Sequence, residues 1–291
     1  MKSHIFNVQR FCTDDGDGIR TVIFFKGCPL RCLWCHNPES QSTSQQLSYN
    51  YVKCIGCGLC VSACKMNCHS IREGHIFDRK SCVLCGACAN ICPTEALEMT
   101  GGYYETAELV EKALQDAEFY GVCGGVTLSG GEPLMQAEAA IELFRELKKN
   151  NINTAVETCG FFDNRLCTEL KDLVDTFLFD YKTEFDNYID LTSVSGELIK
   201  KNLYELSKTN RIILRCPIIV GCNDTAGHLN GIINIAKECQ IKEIHLLPYH
   251  NLGVSKAQNC GMKQEKFETP SKDLLNEWKL KIESSTKARV L

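Results

Sequence analysis

Cys28, Cys32 and Cys35 stand with three and then two residues between them, directly after the apolar run Thr21 to Phe25. Three thiolates can hold three corners of a four-iron cubane and leave the fourth iron without a protein ligand, whereas electron-transfer clusters take four protein ligands. An incompletely ligated iron is open to substrate or cofactor, by the logic that keeps a catalytic zinc one ligand short. A three-cysteine zinc site or buried structural thiols share this local pattern, and ligand softness favours iron–sulfur.

Eight further cysteines fall into two runs of one spacing, Cys54, Cys57, Cys60, Cys64 and then Cys82, Cys85, Cys88, Cys92 before Pro93. The second run matches the bacterial ferredoxin pattern, proline included, and in two-cluster ferredoxins the fourth cysteine of each run ligates the other cluster. One cubane is therefore predicted on Cys54, Cys57, Cys60 and Cys92, and another on Cys82, Cys85, Cys88 and Cys64. The first run departs from the pattern, with Lys65 in the proline position and Cys68 four residues after Cys64. Cys68 thus competes with Cys64 as a ligand; Cys64 is preferred because it keeps the spacing of the intact run.

Behind these motifs must stand a scaffold, and 291 residues suffice for one large α/β domain or two smaller ones. Twenty cysteines in a chain that opens without a signal-peptide apolar run argue for metal rather than disulfides. The nine outside the clusters, Cys159 among them, read as small buried hydrophobes. So many free thiols are expected of a cell that meets little oxygen. A net charge of −4 gives no basic footprint for nucleic acid, and no apolar run approaches the ~20 residues of a membrane span. A cytoplasmic monomer is expected, with no membrane or nucleic-acid partner.

Apolar periodicity predicts strands at 21–26, 126–128, 154–157, 177–180, 211–215 and 243–247. Helices are predicted over 105–119, 136–149, 166–174, 196–208, 226–239 and 270–284, the last with Thr269 as cap before Pro270. Residues 40–50 read as a linker. Strands alternating with helices form a parallel sheet with right-handed crossovers. Two units are missing from an eight-stranded barrel. The expected fold is therefore α/β, a partial (β/α)6 TIM-like barrel from residues 1–46 and 100–291, with residues 47–99 inserted as a ferredoxin-like domain for two [4Fe-4S] clusters.

In such sheets the active site gathers at the C-terminal strand ends. Strand one runs into the three-cysteine loop and strand two into Ser129-Gly130-Gly131-Glu132; strand three ends on Glu157-Thr158 and strand four on Asp180 and Lys182. Arg215 closes strand five, and strand six runs on to His250. Each alone is an ordinary turn, surface pair or covering residue; six together on one rim are not.

The stretches 14–21, 27–38, 129–133, 157–160, 180–182, 215–221 and 247–253 resemble those of glycyl radical enzyme activating enzymes, in the radical S-adenosylmethionine (SAM) superfamily. The paired ferredoxin motifs resemble the branch that activates dehydratases and lyases. The resemblance implies that Cys28, Cys32 and Cys35 hold a catalytic [4Fe-4S] cluster with Trp34 beside the cofactor, which with two auxiliary clusters makes three. It implies that Gly130 and Gly131 present backbone to the methionine amino group while Glu132 orders their loop. Asp180 and Lys182 would bind near the carboxylate, and Arg215 and His250 would face ribose and adenine. Glu157 and Thr158 match an Asp-Thr pair that also helps to hold a monovalent cation; Glu157 is one methylene longer. Asp17 departs from a proline in the first turn.

The implied reaction is reductive cleavage of SAM to a 5′-deoxyadenosyl radical, which takes a hydrogen atom from a backbone glycine of a partner enzyme, such as a hydroxyproline or glycerol dehydratase. A flavodoxin or ferredoxin-type donor would supply the electron. Two other readings stand beside it. A ferredoxin-type electron-transfer subunit explains residues 54–92 but not the strand ends, and a radical SAM enzyme could instead act on a small molecule or peptide.

Overall fold

The computed structural model describes all 291 residues. Its strands are β1 (Lys2–Cys12), β2 (Arg20–Phe25), β3 (Gln46–Tyr49), β4 (His69–Ile71), β5 (His75–Phe77), β6 (Leu97–Thr100), β7 (Gly102–Glu105), β8 (Gly125–Gly130), β9 (Asn153–Thr158), β10 (Thr176–Asp180), β11 (Arg211–Ile218), β12 (Glu243–Pro248) and β13 (Arg289–Val290). An open nine-stranded sheet has the order β13-β12-β11-β10-β9-β8-β2-β1-β7. The six expected strands lie side by side within it, all parallel. A helix-bearing segment makes the crossover between each neighbouring pair, as the alternating pattern requires.

Three strands of this sheet are additions to the expected six. β1 pairs antiparallel with β2 and β7, and β13 adds a short parallel edge. β1 lacks the alternation that would mark it, because register irregularities between Ile5 and Asn7 and between Gln9 and Cys12 break the period of two.

The helices are α1 (Leu59–Ala63), α2 (Ala87–Asn90), α3 (Thr106–Leu114), α4 (Ala137–Lys149), α5 (Leu166–Leu170), α6 (Tyr188–Thr192), α7 (Gly196–Ser207), α8 (Ala226–Glu238), α9 (Leu252–Asn259) and α10 (Lys272–Ser285). α4 buries Ala140, Ile141, Phe144 and Leu147 on one stripe. α10 is capped by Ser271, whose side chain accepts from Leu274 N, and not by Thr269. α9 is unanticipated, since Asn-Leu-Gly reads locally as a turn.

Register separates the sheet into two faces. Ile23, Val126, Leu128, Val156, Phe177, Phe179, Leu214 and Ile244 point to one side and join helix residues such as Phe144, Leu203, Ile232 and Trp278 in a 43-residue core. The alternate residues Ser129, Glu157, Asp180, Arg215 and Leu247 line a cavity on the other. No helix is long and apolar enough to cross a membrane.

Residues 46–100 build their own small sheets. The expected linker contains β3, which pairs antiparallel with β6, so that Gln46 faces Thr100 and the two ends of the segment are tied together. A separate hairpin, β4–β5, lies between the two cysteine runs. Leu47, Cys60, Cys88 and Leu97 form a core distinct from the large one.

Candidate active site

The three-cysteine loop leaves β2 through Gly27 (φ +102°) and is held by hydrogen bonds from three other segments of the chain. Gly27 N donates to Ser40 O (2.6 Å), Arg31 N to Thr192 O (2.7 Å) and Leu33 N to Leu191 O (3.1 Å), while Gln264 Nε2 caps Cys35 O at 2.9 Å. Lys256 of α9 donates to His36 O and Asn37 Oδ1. α9 comes so close that a Cβ on Gly253 would lie 2.2 Å from Cys35 O.

Gly130 and Gly131 at the end of β8 run directly beneath this loop. Gly131 N donates to Phe25 O and Glu132 N to Gly27 O, and a Cβ on Gly131 would lie 2.2 Å from Gly27 O. Gly130 sits at φ +114°, a conformation that favours glycine. Glu132 is fully buried and ties the ends of β8 and β9: its carboxylate accepts from Leu134 N, Thr158 Oγ1 and Cys159 N at 2.8–3.1 Å.

These elements enclose a cavity lined by Cys28, Cys32, Cys35, Trp34, Gly130, Gly131, Glu157, Thr158, Asp180, Lys182 and Arg215 among others. Of the residues expected here from sequence, two lie elsewhere. Glu132 is behind the wall, and His250 is exposed, its ring stacked on that of His36 with centroids 4.1 Å apart. His36 itself lines the cavity. Burial, and then His250, lower its pKa to about 4, so it is a neutral imidazole.

Charge in the cavity is alternating. Lys182 Nζ donates to Asp180 Oδ2 (2.9 Å); burial opposes its charge, but Asp180 overcomes this and raises its pKa. Arg215 lies 3.4 Å from Glu157, 3.9 Å from Asp180 and 3.9 Å from Asp15. Burial again opposes its charge, and the three carboxylates, Glu157 first, outweigh it. Ser129 Oγ donates to the other oxygen of Glu157. Two Arg215 nitrogens, Nε and Nη1, are buried with no hydrogen-bond partner, and Arg215 lines the cavity, so these donors are free to meet a ligand there.

Burial pushes the Cys32 thiol up to about 12 and raises that of Cys35. Cys28 is shifted the other way, chiefly by a hydrogen bond from Cys159. Metal binding would ionise all three thiols, and the soft, three-sulfur donor set fits an iron–sulfur cluster. The unpartnered Arg215 donors beside Asp180 and Lys182 fit a zwitterionic ligand.

Sequence reasoning missed two participants here. Cys159 also lines the cavity, next to Cys28, although its spacing belongs to no cluster. Asp15 reaches Arg215 from the first turn; burial, then Glu157, raise its pKa to about 6. Arg20, at the start of β2, is buried outside the cavity lining and donates to Thr127 Oγ1, Val126 O and Asn153 Oδ1. Asp17, the departure in the first turn, pairs with Arg211 at the opposite, N-terminal end of β11, remote from the cavity.

The eight remaining cysteines gather as two sets. Cys54, Cys57, Cys60 and Cys92 line one cavity, and Cys64, Cys82, Cys85 and Cys88 another, which Cys68 also lines. Cys92 and Cys64 have each crossed to the other run's trio.

The radical SAM superfamily model matches residues 22–224. The choline trimethylamine-lyase activating enzyme of Oleidesulfovibrio alaskensis is 41% identical over 89% of this chain and 87% of its own. The trans-4-hydroxy-L-proline dehydratase activating enzyme of Clostridioides difficile is 38% identical over 98% and 97%. The indoleacetate decarboxylase activating enzyme of Tractidigestivibacter scatoligenes is 38% identical over 90% and 87%. In fold, the chain is similar to the structure of TYW1 with a lysine–pyruvate adduct bound, with a TM-score of 0.51 and 14% identity over 92% of this chain and 74% of that one. The chain belongs to the radical SAM superfamily, in the family of activating enzymes that these relatives represent.

Proposed function

We propose that this chain installs a radical on a backbone glycine of a partner glycyl radical enzyme of the dehydratase or lyase type. The observation that carries this reading is the single cavity in which three thiols meet Gly130, Gly131, Glu157, Thr158, Asp180, Lys182 and the unpartnered Arg215. Cys28, Cys32 and Cys35 would hold the catalytic [4Fe-4S] cluster. When bound, the cluster and SAM supply one-electron cleavage and a carbon radical that takes a hydrogen atom.

The protein supplies placement. Lys182 and Arg215 present donors to a carboxylate and hydroxyls, Asp180 and the strand-end backbone accept from an ammonium, and Trp34 walls the cluster side. His36, backed by His250, offers a flat face to a purine. Arg215 supplies at Glu157 the positive charge that the resemblance assigns to a monovalent cation. Glu132 stiffens the loops behind the cavity and touches no ligand.

Residues 47–99 would form a ferredoxin-like module on the barrel of residues 1–46 and 100–291, with two auxiliary clusters on the cysteine sets described above. The β3–β6 ladder supports these boundaries, because it closes the segment on itself. A flavodoxin or ferredoxin-type protein would be the donor, and the chain would act as a monomer.

Anaerobic loading with iron and sulfide tests this reading. About twelve irons per chain are expected, with roughly four lost when Cys28, Cys32 and Cys35 become alanine. Under reductant, the loaded protein should form 5′-deoxyadenosine from SAM and raise a glycyl radical EPR signal on a cognate partner. Deoxyadenosine formation that survives the triple substitution would overturn the assignment.

A further inference from the structure

The β4–β5 hairpin between the two cysteine runs does something that a mere spacer would not. Its register pairs His69 with Phe77 and Ile71 with His75, which puts both histidines on one face as diagonal neighbours. His69 Nδ1 lies 2.9 Å from His75 Nε2. His75 lines the cavity of Cys54, Cys57, Cys60 and Cys92, and His69 lines the cavity of Cys64, Cys82, Cys85 and Cys88. The pair therefore forms the wall between the two sets of thiols.

Both His75 nitrogens approach sulfur on the first side, Nδ1 at 3.7 Å from Cys54 Sγ and Nε2 at 3.5 Å from Cys60 Sγ. Once Cys54 and Cys60 are thiolates they can only accept. Only one assignment gives every N–H of the pair a partner: the His75 proton sits on Nδ1 and is donated to Cys54 Sγ, because a proton on Nε2 would push that of His69 onto its unpartnered Nε2. His75 Nε2 is then an acceptor, and it takes the Nδ1–H of His69. This assignment leaves His69 Nε2 as a bare lone pair, and that atom is buried with no partner. Neighbouring rings hold the geometry: His69 stacks on Phe77 (4.8 Å) and His75 meets the edge of Tyr49 (4.5 Å). No imidazole approaches a sulfur of the second set, where the sulfurs of Cys64 and Cys82 receive backbone N–H groups from Cys68 and Leu84.

We propose that His75, fixed in one tautomer by His69, donates a hydrogen bond to Cys54 and so raises the reduction potential of the auxiliary cluster that Cys54 would ligate. Hydrogen bonds to cluster sulfur stabilise the more negative, reduced state and raise its potential. Each cluster takes up one electron, and no bond is made or broken. His69 and His75 are positioning residues: they hold an N–H on the sulfur of Cys54 and so tune one cluster and not the other. The inference rests on the two-cluster reading of residues 47–99.

The test uses the full-length chain with Cys28, Cys32 and Cys35 replaced by alanine, so that only the auxiliary clusters contribute, reduced with deazaflavin and light and followed by EPR against potential. Two distinct one-electron couples are expected. His75→Phe should lower one couple and not the other, by about tenfold in the ratio of reduced to oxidised cluster at fixed poise, or 59 mV. His75→Gln, which keeps an N–H, should restore part of the shift, and His69→Phe should reproduce part of the loss.

Pulsed EPR on protein labelled with 15N-histidine, His75 intact, should show an imidazole nitrogen coupled to one reduced cluster. This measurement decides the matter even where His75→Phe fails to fold. An unmoved potential with full iron content, an equal shift of both couples, or the absence of nitrogen coupling overturns the role of the histidines while leaving two clusters in place. A histidine-bound zinc in place of one cluster, or about four irons in the unsubstituted chain, overturns the two-cluster reading itself and this inference with it.

Discussion

Cys159 is the residue that tests the open iron most directly. It shares the cavity with Cys28, Cys32 and Cys35, so a fourth protein ligand is within reach of the site. If the vacancy is kept for SAM, Cys159→Ser should retain all the iron while Cys28→Ala loses roughly four per chain, as read by iron analysis. Arg215→Met leaves Asp15, Glu157 and Asp180 without their shared cation and removes the two unpartnered donors. The dissociation constant for SAM should rise tenfold or more, a loss of about 1.4 kcal/mol or greater, in equilibrium binding.

Asp15 carries a pH effect of defined sign. Its pKa is raised in the fold from 3.8 to about 6, so its stabilising contribution is full below the unfolded value and is lost as pH rises through about 6. Asp15→Asn mimics the protonated form. Its stability relative to the unsubstituted protein should grow by about 1–2 kcal/mol from pH 5 to 8 and level off above that, as read by denaturant midpoints at each pH.

Among elements, the junction of β8 with the three-cysteine loop is packed backbone against backbone. Gly131→Ala would put a methyl 2.2 Å from Gly27 O, where only backbone can give way. The loop should be displaced and the catalytic iron lost selectively, with the auxiliary clusters intact by EPR. Glu132→Gln probes the tie between β8 and β9 more gently. Its amide nitrogen would face donors at Leu134, Thr158 or Cys159, and about 1–3 kcal/mol of stability should be lost. Both predictions concern backbone placement, and neither substitution removes a group that touches a ligand.

At the scale of the molecule, one arginine joins the cysteine-rich segment to the cavity. Arg79 donates to Leu47 O on one side and to Asn259 O at the end of α9 on the other, with its guanidinium over Phe77. α9 in turn presses on Cys35 through Gly253 and holds His36 and Asn37 through Lys256. The segment of residues 47–99 is thus coupled mechanically to the catalytic loop. Arg79→Met should raise hydrogen exchange in both residues 47–99 and 252–264 while leaving β8 to β11 protected.

Local chemistry in the chain was enough for the six parallel strands, their crossovers and nearly every cavity residue, because periodicity and strand-end position are properties of short segments. The grouping of Cys64 and Cys92 with the opposite runs was expected only because the runs match the two-cluster ferredoxin pattern; the repeat alone would equally allow two self-contained sets. β1 escaped because its irregular register erases alternation, and α9 because its start reads as a turn. Cys159, Asp15 and the His69–His75 couple could be found only in three dimensions, for each owes its environment to segments far away in sequence. The same is true of His250, which the fold stacks on the outside of His36 and not in the cavity. Three cysteines after a strand identify an incompletely ligated site; only the packing of four other strand ends around them shows what charges that site holds out to its ligand.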